Sequence, residues 1–504
     1  MVPNPVAFFP SLSSSSQDGR ASAAAPSVGY ALPLLLCVTV LTAFRLGALY
    51  FSHTELFFDE AQYWFWSQDL AAGYYSKPPL IAWIIRTFTE ICGNGEACVR
   101  APSPLLHAAT AMVVYGIGSS LSDARVGFWA GLVYATLPGV SFSSGLISTD
   151  VPLLLFVALA LWAVVSLREG VTLLRVVALG VALGMGLLAK YAMSYFVLSL
   201  VVYALVSAKG RTMLKAPLFY LAPAIAVLFL APNIAWNVGN GFATFSHTAD
   251  NAGWGGSLFH WKDALEFLIG QLGVAGPVIF VTFVWLCIAW MRQPRGWRTL
   301  DDREKLLLAF SIPVLVLMMV QSFISRAHAN WAAFAYIAVT VLVTAAMLRA
   351  NWTRLFRASI GLHIAVMLAL GAGGMLAGNF ASLGVRDPYS RVLGWRAIAD
   401  ATITKAHDGG FRAIATDRRA LAASLLYYLR DADIPVTAFM HNRKRPRDHF
   451  ELTRPITKDT PRPILLVSFS KSSQSRGKAI GAVEIAAGTK HRKVYFYAIR
   501  GSTD

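Results

Sequence analysis

Long apolar runs separated by short polar breaks recur along the chain as far as about residue 380. Each is close to the roughly 20 residues that cross a bilayer as a helix. The pattern predicts about eleven transmembrane helices, over approximately 30–50, 102–121, 126–145, 151–167, 172–188, 191–207, 216–235, 264–290, 306–324, 332–349 and 359–380. The close pair around Ala189-Lys190-Tyr191 reads either as two spans or as one broken, re-entrant element. From about residue 381 the texture changes. Phe411-Arg412-Ala413-Ile414-Ala415-Thr416, Ile464-Leu465-Leu466-Val467-Ser468-Phe469 and Val494-Tyr495-Phe496-Tyr497-Ala498-Ile499 read as buried strands, and Arg419 to Leu429 has helical spacing. The expected fold is an all-α polytopic membrane protein with a small C-terminal α/β soluble domain. Residues 1–28 would be a disordered tail, 29–380 the transmembrane domain and 381–504 the soluble domain.

Composition agrees, with 56% hydrophobic and 14% charged residues over 504 positions. Lys and Arg placement sets the orientation, because basic residues gather in cytoplasmic loops. With the N-terminus inside, those loops hold Arg125, Arg168, Arg175, Lys209, Arg211, Lys215, the cluster Arg292, Arg295, Arg298, Arg303 and Lys305, then Arg349, Arg354 and Arg357. The opposite side keeps Lys190, Lys262 and Arg326 outside its first loop. The first 28 residues carry Ser13-Ser14-Ser15-Ser16 and an Ala-rich stretch without a charged n-region beside a short apolar core. They read as a cytoplasmic tail rather than a signal peptide, which makes the first span an uncleaved anchor.

Much of the net +17 charge lies in the soluble domain, through Arg443-Lys444-Arg445, Arg447, Lys490, Arg492 and Lys493. One reading is a solvated face. The other is attraction to anionic lipid headgroups or phosphorylated glycolipid, contributing about 1 kcal/mol per basic residue near a charged surface. Its place outside the membrane argues against nucleic acid as a partner. Cys37 and Cys287 fall inside spans and read as packing residues. Cys92 and Cys98 bracket Gly93-Asn94-Gly95 on the outer side, either as a disulfide or as two free thiols. No pattern resembles a zinc site, and no metal or other cofactor is expected.

The first loop carries the chemistry. Phe58-Asp59-Glu60-Ala61-Gln62-Tyr63-Trp64-Phe65-Trp66 places two carboxylates just beyond the first span, and charges at a membrane boundary are costly enough to imply function. Asp59 to Leu70 suits a helix, which the aromatic cluster would seat in the membrane interface. Adjacent helical residues diverge by about 100°. The two carboxylates therefore take different roles, one facing a cavity and the other a structural partner such as Arg45 or Arg100. A plain helix N-terminus with dipole-favoured acids would explain the pair but not the neighbouring Lys77-Pro78-Pro79 or the basic loop with Arg86 and Arg100. Lys77 reads as a snorkelling lysine or as a point charge for a phosphate. Arg45, at the outer end of the first span, reads as a snorkelling arginine, a salt-bridge partner or a phosphate contact.

Further polar residues converge on the outer side by topology: Ser148-Thr149-Asp150, Lys190-Tyr191, Asn233, Trp236-Asn237, His247 and Ser325-Arg326-Ala327-His328-Ala329-Asn330-Trp331. Outer loops contain polar residues in any case; together these residues, Asp150, Lys190, Tyr191, Arg326 and His328 among them, would form a polar, cationic cavity roofed by the soluble domain. His107, in the second span, reads as a satisfied core histidine. Gly180, Gly184 and Gly186 read as helix-packing contacts.

At these residues the chain resembles the dolichyl-phosphate-mannose protein mannosyltransferase superfamily, and more closely its bacterial branch of aminoarabinose and galacturonic acid transferases of lipid A and lipopolysaccharide core. The resemblance rests on the first-loop Asp59-Glu60, the aromatic helix and Lys77-Pro78-Pro79-Leu80. Arg100-Ala101-Pro102-Ser103, Ser148-Thr149-Asp150-Val151-Pro152, Gly186-Leu187-Leu188-Ala189-Lys190-Tyr191, Pro232-Asn233-Ile234-Ala235-Trp236-Asn237 and His328-Ala329-Asn330-Trp331 extend it through the membrane region. It implies a GT-C fold, an inverting transfer from a polyprenyl-phosphate-linked sugar, Asp59 as catalytic base and Lys77 on the lipid phosphate. Ser76 departs from the acidic residue that aminoarabinose enzymes carry before Lys-Pro-Pro, which argues against that donor.

The chemistry stands beside the resemblance. An acceptor hydroxyl needs a carboxylate base within about 3 Å, and a departing lipid phosphate needs fixed cations. The expected activity is an inner-membrane glycosyltransferase passing a sugar, galacturonic acid first, from dodecaprenyl phosphate to the glycolipid acceptor, lipopolysaccharide core or lipid A. A mannose-type transferase acting on protein or polysaccharide is the alternative within enzymes. A transporter or flippase would instead show inverted repeats and charges at the bilayer midplane, whereas these charges gather at one face. A non-catalytic assembly subunit is a further alternative.

Overall fold

The computed structural model describes residues 28–252, 259–293, 299–440, 445–471 and 477–500. The expected N-terminal tail, Arg295, Arg298, Arg443 and Lys444 lie outside them. The chain folds as two compact units. The first comprises Met1–Arg45, Ser103–Gly239 and Thr248–Leu370, and the second Leu46–Pro102, Asn240–His247 and Gly371–Asp504.

The first unit is helical. Among the described residues of the whole chain, seven helices are long and apolar enough to cross a membrane, or up to nine if two sharply bent pairs each count as one span. All eleven predicted segments fall on helix, but several are broken. The segment predicted over 264–290 is two helices, Trp261–Ala275 and Pro277–Met291, bent by 117°. Gly276 between them has φ +82°, where any Cβ would also meet the His363 ring, and Pro277 restarts the helix with its fixed φ. The segment over 126–145 breaks at Leu137, which Pro138 holds out of the helical region (ψ 137°). At Ala189-Lys190-Tyr191 the Leu173–Ala189 helix stops on an extended Lys190, and a 3₁₀ turn, Tyr191–Ser194, leads into Tyr195–Val206.

Small residues let these helices approach closely. A Cβ on Gly180 would fall 2.8 Å from the carbonyl oxygen of Ala222, and one on Gly184 2.6 Å from Phe229 Cβ. This is the packing device of membrane helices, which cannot rely on apolar burial to associate. Tyr336–Arg349 is buried from Tyr336 to Met347 and forms the centre of the unit. Loops read as cytoplasmic bond to one another: Arg168 donates to Asp302 Oδ2 through Nε at 3.0 Å and Nη2 at 2.6 Å, joined there by Tyr203 and Ser207.

The second unit contains a five-stranded sheet. Its strands are β1 (Ala413–Thr416), β2 (Val436–Ala438), β3 (Ile464–Ser468), β4 (Lys478–Ala487) and β5 (Lys490–Ile499), in the order β2-β1-β3-β5-β4. β1 is parallel to β2 and β3, with Ile414 opposite Leu465; β5 runs antiparallel to β3 and β4, with Leu466 opposite Tyr497. β1 and β3 are buried throughout, as strands covered on both faces must be. One face packs Ile414, Leu465 and Phe496 against Trp395, Ile398, Leu421 and Leu425 of two helices, Trp395–Asp408 and Arg419–Tyr428.

Candidate active site

The first-loop helix forms over Phe58–Gln68 and belongs to the second unit. Its two carboxylates part as the helical period requires. Glu60 is buried, and its Oε2 accepts the backbone N–H of Phe57 at 2.8 Å, closing the helix N-terminus. Arg100 holds it from the other side, Nε to Oε1 at 2.8 Å and Nη2 to Oε2 at 2.7 Å. The rest of that guanidinium donates to Thr54 O, Thr54 Oγ1 and Glu55 O, so all its polar groups are used on the first loop. Such a bidentate, fully satisfied pair tolerates burial where an isolated charge would not. Arg100 lies on a short helix, Glu96–Arg100, that a disulfide between Cys92 and Cys98 ties to the preceding Leu80–Cys92 helix.

Asp59 points elsewhere. Its side chain remains 38% exposed, and Oδ1 accepts Nη1 of Arg419 at 2.7 Å. The same Nη1 reaches Gln62 Oε1 at 3.1 Å, one turn further along the same face. Arg419 opens its helix in the sheet-bearing part of this unit, and its guanidinium also covers the Phe58 ring at 4.8 Å. Sequence reasoning missed Arg419. Nothing local marks it, since its partner is 360 residues away.

The aromatic cluster is corrected by the structure. Tyr63, Trp64 and Trp66 were expected to lie in a membrane interface, but they are buried in protein. Trp64 meets the Tyr427 ring edge-on at 4.9 Å, Phe65 lies 5.4 Å from Phe450, and Trp66 stacks on Tyr74 at 4.7 Å. Their apolar area holds the Asp59 helix against its own unit. Lys77 follows in the loop that Tyr74 and Tyr75 fix; Tyr75 donates its hydroxyl to Pro446 O at 2.9 Å. Lys77 is half-buried, its carbonyl accepts the N–H of Tyr74, and Pro79 already takes helical angles at the start of Leu80–Cys92. The backbone after the lysine is therefore already helical at Pro79.

The remaining expected residues lie in the first unit, apart from His247, which belongs to the second and meets the Tyr75 ring edge-on at 5.6 Å. Lys190 Nζ donates to Asp150 Oδ1 at 2.7 Å, and Asn330 Nδ2 to Oδ2 at 2.9 Å. Tyr191 donates its hydroxyl to Asn233 Oδ1 at 2.6 Å, with Asn237 3.4 Å from the same hydroxyl. Arg326 and His328 are exposed, the His328 ring edge-on to Trp331 at 5.5 Å. Arg45 is not the partner of Glu60. It is buried and donates through Nη2 to Ala135 O at 2.5 Å and Ser141 Oγ at 3.1 Å. Both ring nitrogens of His107 are bonded, to Tyr134 and Ser143, as expected of a core histidine. Among the described residues, no group of three or more His, Cys, Asp or Glu side chains converges on a metal position.

Comparison with known proteins adds to this geometry. The dolichyl-phosphate-mannose-protein mannosyltransferase family matches residues 76–236. A lipid A galacturonosyltransferase, RgtD, of Rhizobium johnstonii is 36% identical over 405 residues, covering 80% of this chain and 84% of that protein. A lipopolysaccharide core galacturonosyltransferase, RgtA, of the same organism is 26% identical over 269 residues, 51% of this chain and 54% of that one. The crystal structure of ArnT from Cupriavidus metallidurans in the apo state is similar in fold, with a TM-score of 0.63 at 16% identity over 94% of this chain and 98% of that one.

Proposed function

This chain belongs to the bacterial branch of the dolichyl-phosphate-mannose protein mannosyltransferase superfamily, and we propose that it transfers galacturonic acid from a polyprenyl phosphate, dodecaprenyl phosphate first, to lipid A. It is a multi-pass membrane glycosyltransferase with the GT-C fold and a small C-terminal sheet domain. The observation that carries the substrate reading is the 36% identity to a lipid A galacturonosyltransferase over four fifths of the chain. The lower identity and shorter match to the core-directed relative favour lipid A over the core.

In the proposed reaction Asp59 accepts the proton of a lipid A hydroxyl as its oxygen attacks the anomeric carbon. The bond from that carbon to the phosphate oxygen breaks with inversion, and the polyprenyl phosphate leaves with the electron pair. Asp59 suits the role because it is partly exposed with one oxygen anchored by Arg419, whereas Glu60 is fully committed to Arg100 and Phe57. Lys77 supplies positive charge for the leaving phosphate. Arg45, Asp150, Lys190, Tyr191, Arg326 and His328 are proposed as donor-side residues; the bonds of Arg45, Asp150, Lys190 and Tyr191 give them a scaffolding part in that role.

We place the reaction on the periplasmic face of the inner membrane, and propose a cytoplasmic N-terminus, residues 1–28 as a cytoplasmic tail and residues 381–504 as a periplasmic domain. The Cys92–Cys98 disulfide supports this, since disulfides persist outside the cytoplasm. So does the bonding of Arg168 with Asp302, between two loops whose basic residues read as cytoplasmic. A cysteine at Gln68 should label from the periplasm alone.

The deciding experiment incubates purified enzyme with dodecaprenyl-phosphate galacturonate and lipid A. Mass spectrometry should find lipid A heavier by one hexuronate. Transfer only to core oligosaccharide or to polypeptide would overturn the acceptor.

A further inference from the structure

A groove of about 500 Å³ opens within the second unit, and its walls combine two kinds of chemistry. Arg391, Arg492 and Lys493 supply positive charge, while Phe58, Trp395 and Tyr495 supply flat apolar faces. Cation and ring are paired throughout. The Arg391 guanidinium lies 5.0 Å over the Phe57 ring, Arg492 4.2 Å over Trp395, and Lys493 Nζ 5.8 Å over Tyr495. The rings hold the two guanidiniums at the groove wall, where they add positive charge beside flat apolar faces.

A merely solvated basic face does not account for Arg492. Its Nη2 is fixed by Ser390 O at 2.8 Å and Arg391 O at 3.0 Å, yet Nη1 is buried and finds no acceptor in the protein. A buried donor left unpaired is unfavourable, so Arg492 is held in the groove wall by its ring and backbone contacts rather than as a freely solvated charge. Glu55, the nearby carboxylate, is already committed to the backbone N–H of Trp395 at 2.5 Å.

The groove also adjoins the reacting carboxylate along the chain. Phe58 in its wall precedes Asp59, and Ala420 in the same wall follows Arg419, so each wall residue is one Cα step, about 3.8 Å, from a member of the Asp59–Arg419 pair. Aromatic faces beside guanidinium forks recognise a sugar ring carrying a phosphate, the fork binding phosphate oxygens bidentately.

We infer that this groove is the acceptor subsite, holding a phosphorylated sugar of the acceptor glycolipid so that its hydroxyl meets Asp59. The inference rests on the transferase reading above and adds to it where the acceptor docks and what it must carry. The membrane-anchored donor does not need this site, because its phosphate is proposed to sit at Lys77.

The test uses the full-length chain in phosphatidylcholine nanodiscs, titrated by microscale thermophoresis with bis-phosphorylated lipid A and with the same lipid after phosphatase treatment. Wild type should bind the phosphorylated form at least tenfold more tightly, as expected for loss of a charge-assisted hydrogen bond. The double variant Arg391→Gln, Lys493→Gln should bind both forms alike, and phosphatidylglycerol at equal concentration should not compete. If the double variant melts early, the single Lys493→Gln, an exposed position on β5, is tested by the same criterion. Equal affinity of wild type for the two lipids, undiminished binding by the variant, or displacement by phosphatidylglycerol would each overturn the subsite. Binding is read without turnover. A chain that binds the phosphorylated lipid but transfers nothing overturns the proposed activity alone, and one that transfers without regard to the phosphates overturns the groove alone.

Discussion

Arg419 donates to Asp59 Oδ1 at 2.7 Å while the adjacent Glu60 is enclosed by Arg100, so two neighbouring carboxylates answer to cations from opposite ends of the sequence. The Asp59 pair is more than a third exposed on both sides, where an ion pair contributes about 1 kcal/mol or less to stability. Its value is positional, because the same Nη1 also fixes Gln62 on the face that Asp59 shares. Arg419→Ala should therefore leave thermal unfolding within about 1 kcal/mol of wild type and lower kcat roughly tenfold, the cost of a base held in many orientations instead of one. Arg419→Lys should recover part of the rate. An unchanged kcat in Arg419→Ala would remove the positioning role.

Asp59→Asn keeps the size and hydrogen-bonding reach of the side chain but cannot take a proton at neutral pH. Transfer should fall by about 10²–10⁴, the usual contribution of a general base, with the melting temperature near that of wild type. Single-turnover assays with saturating donor and acceptor measure this directly. A folded Asp59→Asn enzyme working at the normal rate would mean that another group takes the proton.

Local pattern carried much of this architecture and little of its long-range chemistry. The strands expected near 411–416, 464–469 and 494–499 and the helix from Arg419 are present because buried strands and amphipathic helices write their burial into consecutive residues. β2 is three residues long and β4 is mostly exposed or half-buried, with small alanines among its apolar residues, so neither shows the compact buried run that marks β1 and β3. The sharp bend at Gly276 is written in one glycine-proline step inside an otherwise unbroken apolar run. The aromatic residues Trp64 and Trp66 look the same in sequence whether they face lipid or a protein core; their burial depends on Tyr427, Tyr74 and His449, which the fold brings to them. Asp59 and Glu60 could be separated in role by helical geometry alone. Arg419 could not be assigned, because its contact exists only once the sheet domain has folded.

The Glu60–Arg100 pair is structural, and its loss should show as stability rather than rate. Both side chains are only 3% exposed. Arg100→Ala would leave a carboxylate buried without its partner, a change that typically costs about 3–5 kcal/mol. Thermal unfolding in detergent should fall by many degrees, and Glu60→Gln should fall less because Phe57 and Arg100 keep an acceptor. Equal stability of Arg100→Ala and wild type would refute the assignment.

His449 makes the second unit sensitive to acid. Burial among Phe65, Trp66 and Tyr74, with Arg454 adding repulsion, lowers its pKa from about 6.5 to about 4. The neutral ring is the folded form. Its contribution is fully present above pH 6.5 and is lost as the pH falls from there toward 4, since the unfolded chain binds the proton first. At pH 5 the loss is about 2 kcal/mol, from 1.36 kcal/mol for each of 1.5 pH units. His449→Gln should be less stable at pH 7 but lose less than wild type between pH 7 and pH 5. Parallel losses in the two proteins would assign the acid sensitivity to other groups.

Lys190 and Asp150 can be tested as a coupled pair. They come from two separate helix ends of the first unit, Lys190 at the break after Leu173–Ala189 and Asp150 at the start of Asp150–Leu167. Asn330 ties a third segment to the same carboxylate at 2.9 Å. The side chains are 19% and 15% exposed, so solvent screens them less than a surface pair. A double-mutant cycle with Lys190→Met and Asp150→Asn should give a coupling energy of about 1 kcal/mol or more, within the range for residues in direct contact. Each single variant loses the contact; the double variant, which leaves no buried charge without its partner, should be less destabilised than the sum. If the single effects add, the bond does not couple these helix ends. If instead the donor KM rises with no change in unfolding, Lys190 acts on the ligand and its bond to Asp150 is not a strut.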